Sequence, residues 1–257
     1  MISMKNLIRL SIAMAAITAI IISCSNDENG NDDDEDIVSG ELHAAFADFD
    51  TDETTIYLEG SNVVIETTGN PSHDTPYWGE GNEKYIAPTV TTEEDMTPTR
   101  IPQYDGTASL TVTTTPEIAS STTATQLGAI GIAVSGAAIF NDQEGNGALD
   151  EAAVSLDYTG GHIGPAEYHY HLEPLAFTND DENLVGIIAD GFFIYGRKCN
   201  ATGTYPNDLD ASGGHTSTTQ HTNEAEYHYH IINELYSTTG RYIVFVGPYQ
   251  GDPSSIN

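Results

Sequence analysis

Glu167-Tyr168-His169-Tyr170-His171 and Glu226-Tyr227-His228-Tyr229-His230 are two copies of one five-residue pattern. Tyrosine and histidine alternate in both. In a strand, alternate side chains point to opposite faces, so His169 and His171 share one face while Tyr168 and Tyr170 share the other. With fourteen tyrosines and nine histidines in 257 residues, two chance copies of one such tetrapeptide are not expected. The likeness extends upstream, because the ten residues from His162 align without a gap on the ten from His221, each reading His, three variable or polar residues, Ala, Glu and the tetrapeptide. His215 follows Gly213-Gly214 as His162 follows Gly160-Gly161, so the second copy carries one histidine more. Two such strands side by side would gather four imidazoles on one surface, with His162 and His221 closing three-histidine sets from the preceding loops. The tyrosines are suited to packing the opposite face while each hydroxyl finds a partner.

Outward from these strands, the apolar pattern is short-ranged and β-like. Ile56 to Glu66 holds two β-branched and aromatic runs around Gly60-Ser61-Asn62, a hairpin signature. Similar runs occur at 109–113, 129–134, 184–188, 192–195 and 242–246. No stretch beyond residue 30 sustains a helical stripe for three turns, the best being residues 148–156. The expected fold is mainly β, a single β-sandwich-like or barrel-like domain with short helical turns over residues 37–257. The Thr-, Ser- and Pro-rich section 90–125 reads either as a strand pair with long loops or as a partly mobile segment.

The 39 acidic against seven basic residues, a net charge of −32, exclude nucleic acid as a partner. Lys5 and Arg9 precede an apolar run, Leu10 to Ile22, that is too short to span a bilayer, and Ser23-Cys24 follows as in a bacterial lipobox. Residues 1–23 are expected to be a lipoprotein signal peptide and Cys24 the lipidated residue, with 24–36 an acidic tether. The domain is then expected in the cell envelope, lipid-anchored at the outer membrane, with surface display and a plain spacer role for the acidic stretch both left open. If Cys24 is acylated, Cys199 has no disulfide partner, and its polar surroundings, Gly196 to Asn200, mark it as a bystander.

Seven of the nine histidines lie between 162 and 230. His162, His169, His171, His215, His221, His228 and His230 are the candidate ligands of a transition metal ion, since imidazole sets suit copper, zinc or iron, whereas calcium or magnesium wants oxygen. Copper is the first choice, because paired His-x-His strands recur in copper oxidases. His73 is an additional candidate ligand, and Asp190 a candidate acceptor for an imidazole N–H. The loop from Asp142 through Glu144 lacks the spacing of a calcium loop and reads as a turn. No nucleophile elbow, phosphate loop or dinucleotide fingerprint is present. Three functions remain open: a redox-active metal protein, a metal store or carrier, and a recognition domain whose Tyr and His line a groove for a sugar or other ligand.

The chain resembles the YHYH-domain proteins. The resemblance is carried by Thr68-Gly69-Asn70-Pro71-Ser72-His73 with Pro76-Tyr77-Trp78-Gly79, by Leu127 through Asn141, and by Gly160 to His171. It continues through Asp190-Gly191-Phe192-Phe193-Ile194-Tyr195-Gly196 and Gly214 to His230. It spans Val63 to Gly251, with Phe193 where the family has proline. It implies that 37–257 is a YHYH domain with these histidines at its centre, and it implies no reaction.

Overall fold

The computed structural model describes residues 40–89, 100–145, 147–164 and 167–257. The signal segment, Cys24 and the tether lie outside the described residues. Ile37–Asn257 is one compact unit, mainly β, with several sheets and no closed barrel.

The hairpin around Gly60-Ser61 forms as the turn residues require. Strand β1 (Thr54–Glu59) pairs antiparallel with β2 (Asn62–Thr67), and β3 (Ala108–Thr113) completes a three-stranded sheet on the other side of β2. Of the section 90–125, only β3 is a strand among the described residues, and 90–99 lie outside them. Val63, Ile65, Leu110 and Val112 of this small sheet enter one core with Ile132 and Ile187 of a larger one. Burying each such side chain contributes about 1.5–3 kcal/mol, and the result is a sandwich-like pair of layers.

The larger sheet has eight strands. Its first four are β4 (Gly131–Ala133), β5 (Ala138–Ile139), β8 (Gly161–Ile163) and β9 (Tyr168–Tyr170). The others are β10 (Leu184–Ile188), β11 (Phe193–Tyr195), β12 (Gly214–Ser217) and β13 (Glu226–His230). Across the sheet they run β12-β13-β11-β10-β4-β5-β9-β8. The order is a palindrome of structural equivalents. In each half a first hairpin (β4–β5 or β10–β11) hands its second strand in parallel to the second strand of another hairpin (β8–β9 or β12–β13). The halves meet where β4 and β10 pair antiparallel, Ile132 opposite Ile187, Gly131 opposite Ile188 and Ala133 opposite Gly186, which is the register of a local two-fold axis.

The sequence supports that symmetry. Gly131 to Glu144 aligns without a gap on Gly186 to Cys199, with identical residues at Gly131/Gly186, Ile132/Ile187, Gly136/Gly191 and Ile139/Ile194. Gly136 and Gly191 have φ of 96° and 90°, closing three-residue hairpin loops of the kind that end in a left-handed glycine. At the axis a Cβ on Gly186 would lie 2.3 Å from Ile132 O, and one on Gly131 would lie 2.6 Å from Ile187 O. Only glycine lets the two central strands approach.

Two expectations fail here. The Tyr-His-Tyr-His strands do not lie side by side, because β9 and β13 each spend one edge on their own Gly-Gly-His strand and the other on β5 or β11. Residues 148–156 form only short helical turns, as expected, a 3-10 turn, Leu149–Glu151, followed by further turns. The run 242–246 contributes only Tyr242 to a strand, β15 (Arg241–Tyr242), which pairs with β14 (Leu235–Tyr236). The rest crosses the end of β9, with Val244 N donating to His171 O at 2.9 Å.

Candidate metal centres

Each Tyr-His-Tyr-His strand projects its histidines to one side of the sheet, and the paired strand adds a third. His162 is directly opposite His169, and His215 directly opposite His228. The equivalent of His162 is therefore His215 and not His221. The second hairpin has a longer loop, residues 218–225, and the gap-free alignment on His221 crosses that insertion. His221 sits in the loop, its Nδ1 3.1 Å from Tyr195 Oη and its Nε2 2.9 Å from Asp48 Oδ2.

In the first centre, Nε2 of His169 lies 3.0 Å from Nε2 of both His162 and His171. In the second, Nε2 of His228 and His230 are 3.1 Å apart. The rings meet steeply in both triads, at 74°, 65° and 77° in the first and 74°, 73° and 68° in the second. For metal–nitrogen bonds of 2.0–2.1 Å, ligand atoms are about 2.9 Å apart on an octahedron and about 3.3 Å apart on a tetrahedron, so the nitrogens are spaced as around one ion.

A fourth donor joins each triad, at equivalent positions of the repeat. Glu144 Oε2 is 3.4 Å from His162 Nε2 and 3.3 Å from His171 Nε2. Cys199 Sγ joins His215, His228 and His230. Within each set of four, the ligand atoms lie within 4.8 Å of one another. Glu144, in β6 (Gln143–Glu144) of a small hairpin with β7 (Gly147–Ala148), is where the sequence suggested a turn. Cys199 is buried rather than a polar-loop bystander. The signal that finds both is the repeat of Gly131–Glu144 in Gly186–Cys199, which the Tyr-His-Tyr-His pattern overshadows.

The tautomers are fixed by what the opposite ring nitrogens touch. Nδ1 of His169, His171, His228 and His230 faces the carbonyl oxygens of Glu167, Asn141, Glu226 and Gly196 at 2.7–3.1 Å. A carbonyl only accepts, so each Nδ1 carries a proton. His215 Nδ1 lies 2.9 Å from an Asp208 carboxylate oxygen. His162 Nδ1 lies 2.7 Å from Ser155 Oγ, whose own proton goes to Ala152 O. All six imidazoles therefore present Nε2 lone pairs inward, the arrangement metal-bound histidines require of their outer partners. Burial lowers the pKa of His162, takes that of His169 well below its usual value, and brings His228 to about 4 and His230 to about 3, so these four rings stay neutral. Converging lone pairs 3.0 Å apart repel unless a cation sits between them, and Glu144 brings a carboxylate oxygen to the same point.

The opposite face is a tyrosine network built twice. Tyr168 donates to Asp157 and Tyr227 to Asp210, at 2.8 and 2.7 Å. The same aspartates bind the backbone N–H groups of Gly161 and Gly214 just before the strand histidines. Tyr229 donates to Asp190 at 2.6 Å, and Tyr170 shares a 2.8 Å hydrogen bond with Ser135, the residue equivalent to Asp190. Asp190 thus holds a tyrosine and not an imidazole. His73 also lies on this face, 2.5 Å from Tyr170 Oη through Nε2. Neither reaches the imidazole clusters, because odd and even positions of β9 and β13 part to opposite sides of the sheet.

Five strand steps separate β9 from β13, which is roughly 24 Å at about 4.8 Å per step. One ion cannot serve both triads.

The family model for YHYH protein matches residues 109–207. That is narrower than the Val63–Gly251 span of the sequence resemblance. It covers the whole first centre and reaches Cys199, while His215, His228 and His230 lie beyond it. No curated protein and no solved structure matches the chain.

Proposed function

We propose that this chain, which carries a YHYH domain, is a transition-metal protein with two separate centres. His162, His169, His171 and Glu144 form one, and His215, His228, His230 and Cys199 the other. The observation that carries this reading is the spent Nδ1 proton on all six rings, which leaves two buried, inward-facing sets of lone pairs. Three imidazoles with a thiolate suit copper or zinc, and three with a carboxylate also admit iron. Copper is the metal we favour, since both donor sets accept it and it stands highest among divalent first-row ions in affinity. With copper in place the protein would be redox-active. The recognition-domain alternative loses ground because the tyrosines of β9, Tyr168 and Tyr170, are buried rather than lining an open groove.

Elemental analysis of protein purified without chelator or affinity histidines tests the reading. Two equivalents of metal per chain are expected, with copper predominant. Protein that is metal-free and also refuses added copper, zinc and iron would overturn it and revive the recognition domain.

The anchor is part of the same proposal: acylation of Cys24 would hold the domain at the envelope membrane through the acidic tether, as the lipobox-like Ser23-Cys24 and the preceding apolar run suggest. Cys24→Ser is expected to move the protein from the membrane to the soluble fraction. Unchanged membrane retention of the variant would remove this part.

A further inference from the structure

The two centres share three ligands each and differ in how their fourth side is closed. At the second, Cys199, His228 and His230 are at most 2% exposed and His215 is 8% exposed. The thiol-bearing residue is also tied down by its own backbone, its N–H donating to Thr204 O and its carbonyl accepting from Gly203 N, at 2.9 and 2.8 Å. At the first, His171 is fully buried, yet the Glu144 side chain is 26% exposed. It is carried by the two-residue strand β6, and a side chain on Gly145 beside it would meet nothing within 4 Å. A cavity of about 340 Å³ opens on that side, lined by Leu127, Phe140, Glu144, Glu167 and His169. The ligand His169 is thus part of the cavity wall.

The walls indicate what fits. Phe140 stacks on the His169 ring at 3.7 Å and 15°, presenting a flat aromatic boundary beside the donor nitrogens, and Leu127 stands at the entrance, 54% exposed. Two glutamates share the lining in a chain of net charge −32, which disfavours anions by like-charge repulsion. Phe140 has Tyr195 as its equivalent in the other half, but Tyr195 meets His228 edge-on at 5.2 Å and 79°. The flat wall belongs to the first centre.

We infer that the first centre, and not the second, takes an exogenous ligand: a small, neutral, planar molecule with one nitrogen or oxygen donor, whose ring lies along Phe140 while its donor enters the coordination sphere from the Glu144 side. This rests on the two-centre reading. It assigns the first centre the open position that catalytic metal sites keep and the second the closed shell of structural ones.

The test uses purified protein loaded with Co(II), whose visible bands report coordination, titrated separately with imidazole, phenol and azide. Imidazole and phenol are expected to perturb the bands of one of the two cobalt ions. Leu127→Glu, at an exposed position that ligates nothing, is expected to weaken phenol binding at least tenfold while two cobalt ions remain bound. Failure to bind cobalt would sink the metal reading itself. Two bound cobalt ions that ignore imidazole and phenol would overturn only the present inference. So would equal perturbation of both ions, azide binding as tightly as the neutral donors, or phenol binding unchanged in Leu127→Glu.

Discussion

His169→Phe is expected to leave one metal equivalent where the unaltered protein holds two, His228→Phe likewise, and the double variant none. Phenylalanine keeps an aromatic ring against Phe140 or Tyr195 but supplies no lone pair, so the change removes a donor with little loss of packing. Loss of an outer hydrogen-bond partner typically weakens metal binding by 10–100-fold. Loss of an inner donor, with two lone pairs and a carboxylate or thiolate left behind, is expected to exceed about 100-fold at the affected site. Because the centres lie roughly 24 Å apart on the sheet, each single change should spare the other ion. Equilibrium dialysis with copper, read against protein concentration, checks this. A single variant that loses both ions while its β-sheet circular dichroism persists would show that one shared site, not two, is present.

The metal-free protein is expected to lose stability steeply in acid. Burial brings His228 to about 4 and His230 to about 3 in the folded state, against 6.5 for an unperturbed imidazole. A histidine with a depressed folded pKa binds fewer protons folded than unfolded below pH 6.5, so its contribution is complete above that value and drains away as pH falls toward the folded pKa. By linkage, each of the two withdraws about 3 kcal/mol by pH 4. His162 and His169 shift the same way. Against a total stability of about 5–15 kcal/mol for a typical domain, the sum is enough to unfold the apoprotein between pH 6 and 4. Bound metal competes with those protons and should carry the transition to lower pH. Urea denaturation of apo and metal-loaded protein across this range measures both. A flat apo curve from pH 7 to 4 would contradict the buried, neutral triads.

Much of the site was legible because strand periodicity is a local property. Tyr168-His169-Tyr170-His171 had to separate its residue types onto two faces once extended, and so did its second copy. The β-branched runs at 109–113 and 184–188 had little alternative to strands. The pairing of His162 with His169 was harder to misread than that of the second copy, since only four residues lie between β8 and β9. The eight-residue loop between β12 and β13 admitted His221 as a false equivalent of His162. His73 and Asp190 were drawn in by proximity to resembling blocks, with no way to tell which side of the sheet they serve.

Legible in the sequence alone were a mainly β domain, the seven histidines from His162 to His230 as one chemical group, and tyrosine as the opposite face of the two repeated strands. All of these follow from composition and a period of two. Tertiary structure decided that the histidines form two centres and not one, because each hairpin spends its free edge on its own half of the sheet. It also decided that Glu144 and Cys199 complete the triads. Neither residue is near a histidine along the chain, and only the folding of two equivalent hairpins about β4 and β10 carries them to the Nε2 atoms they face.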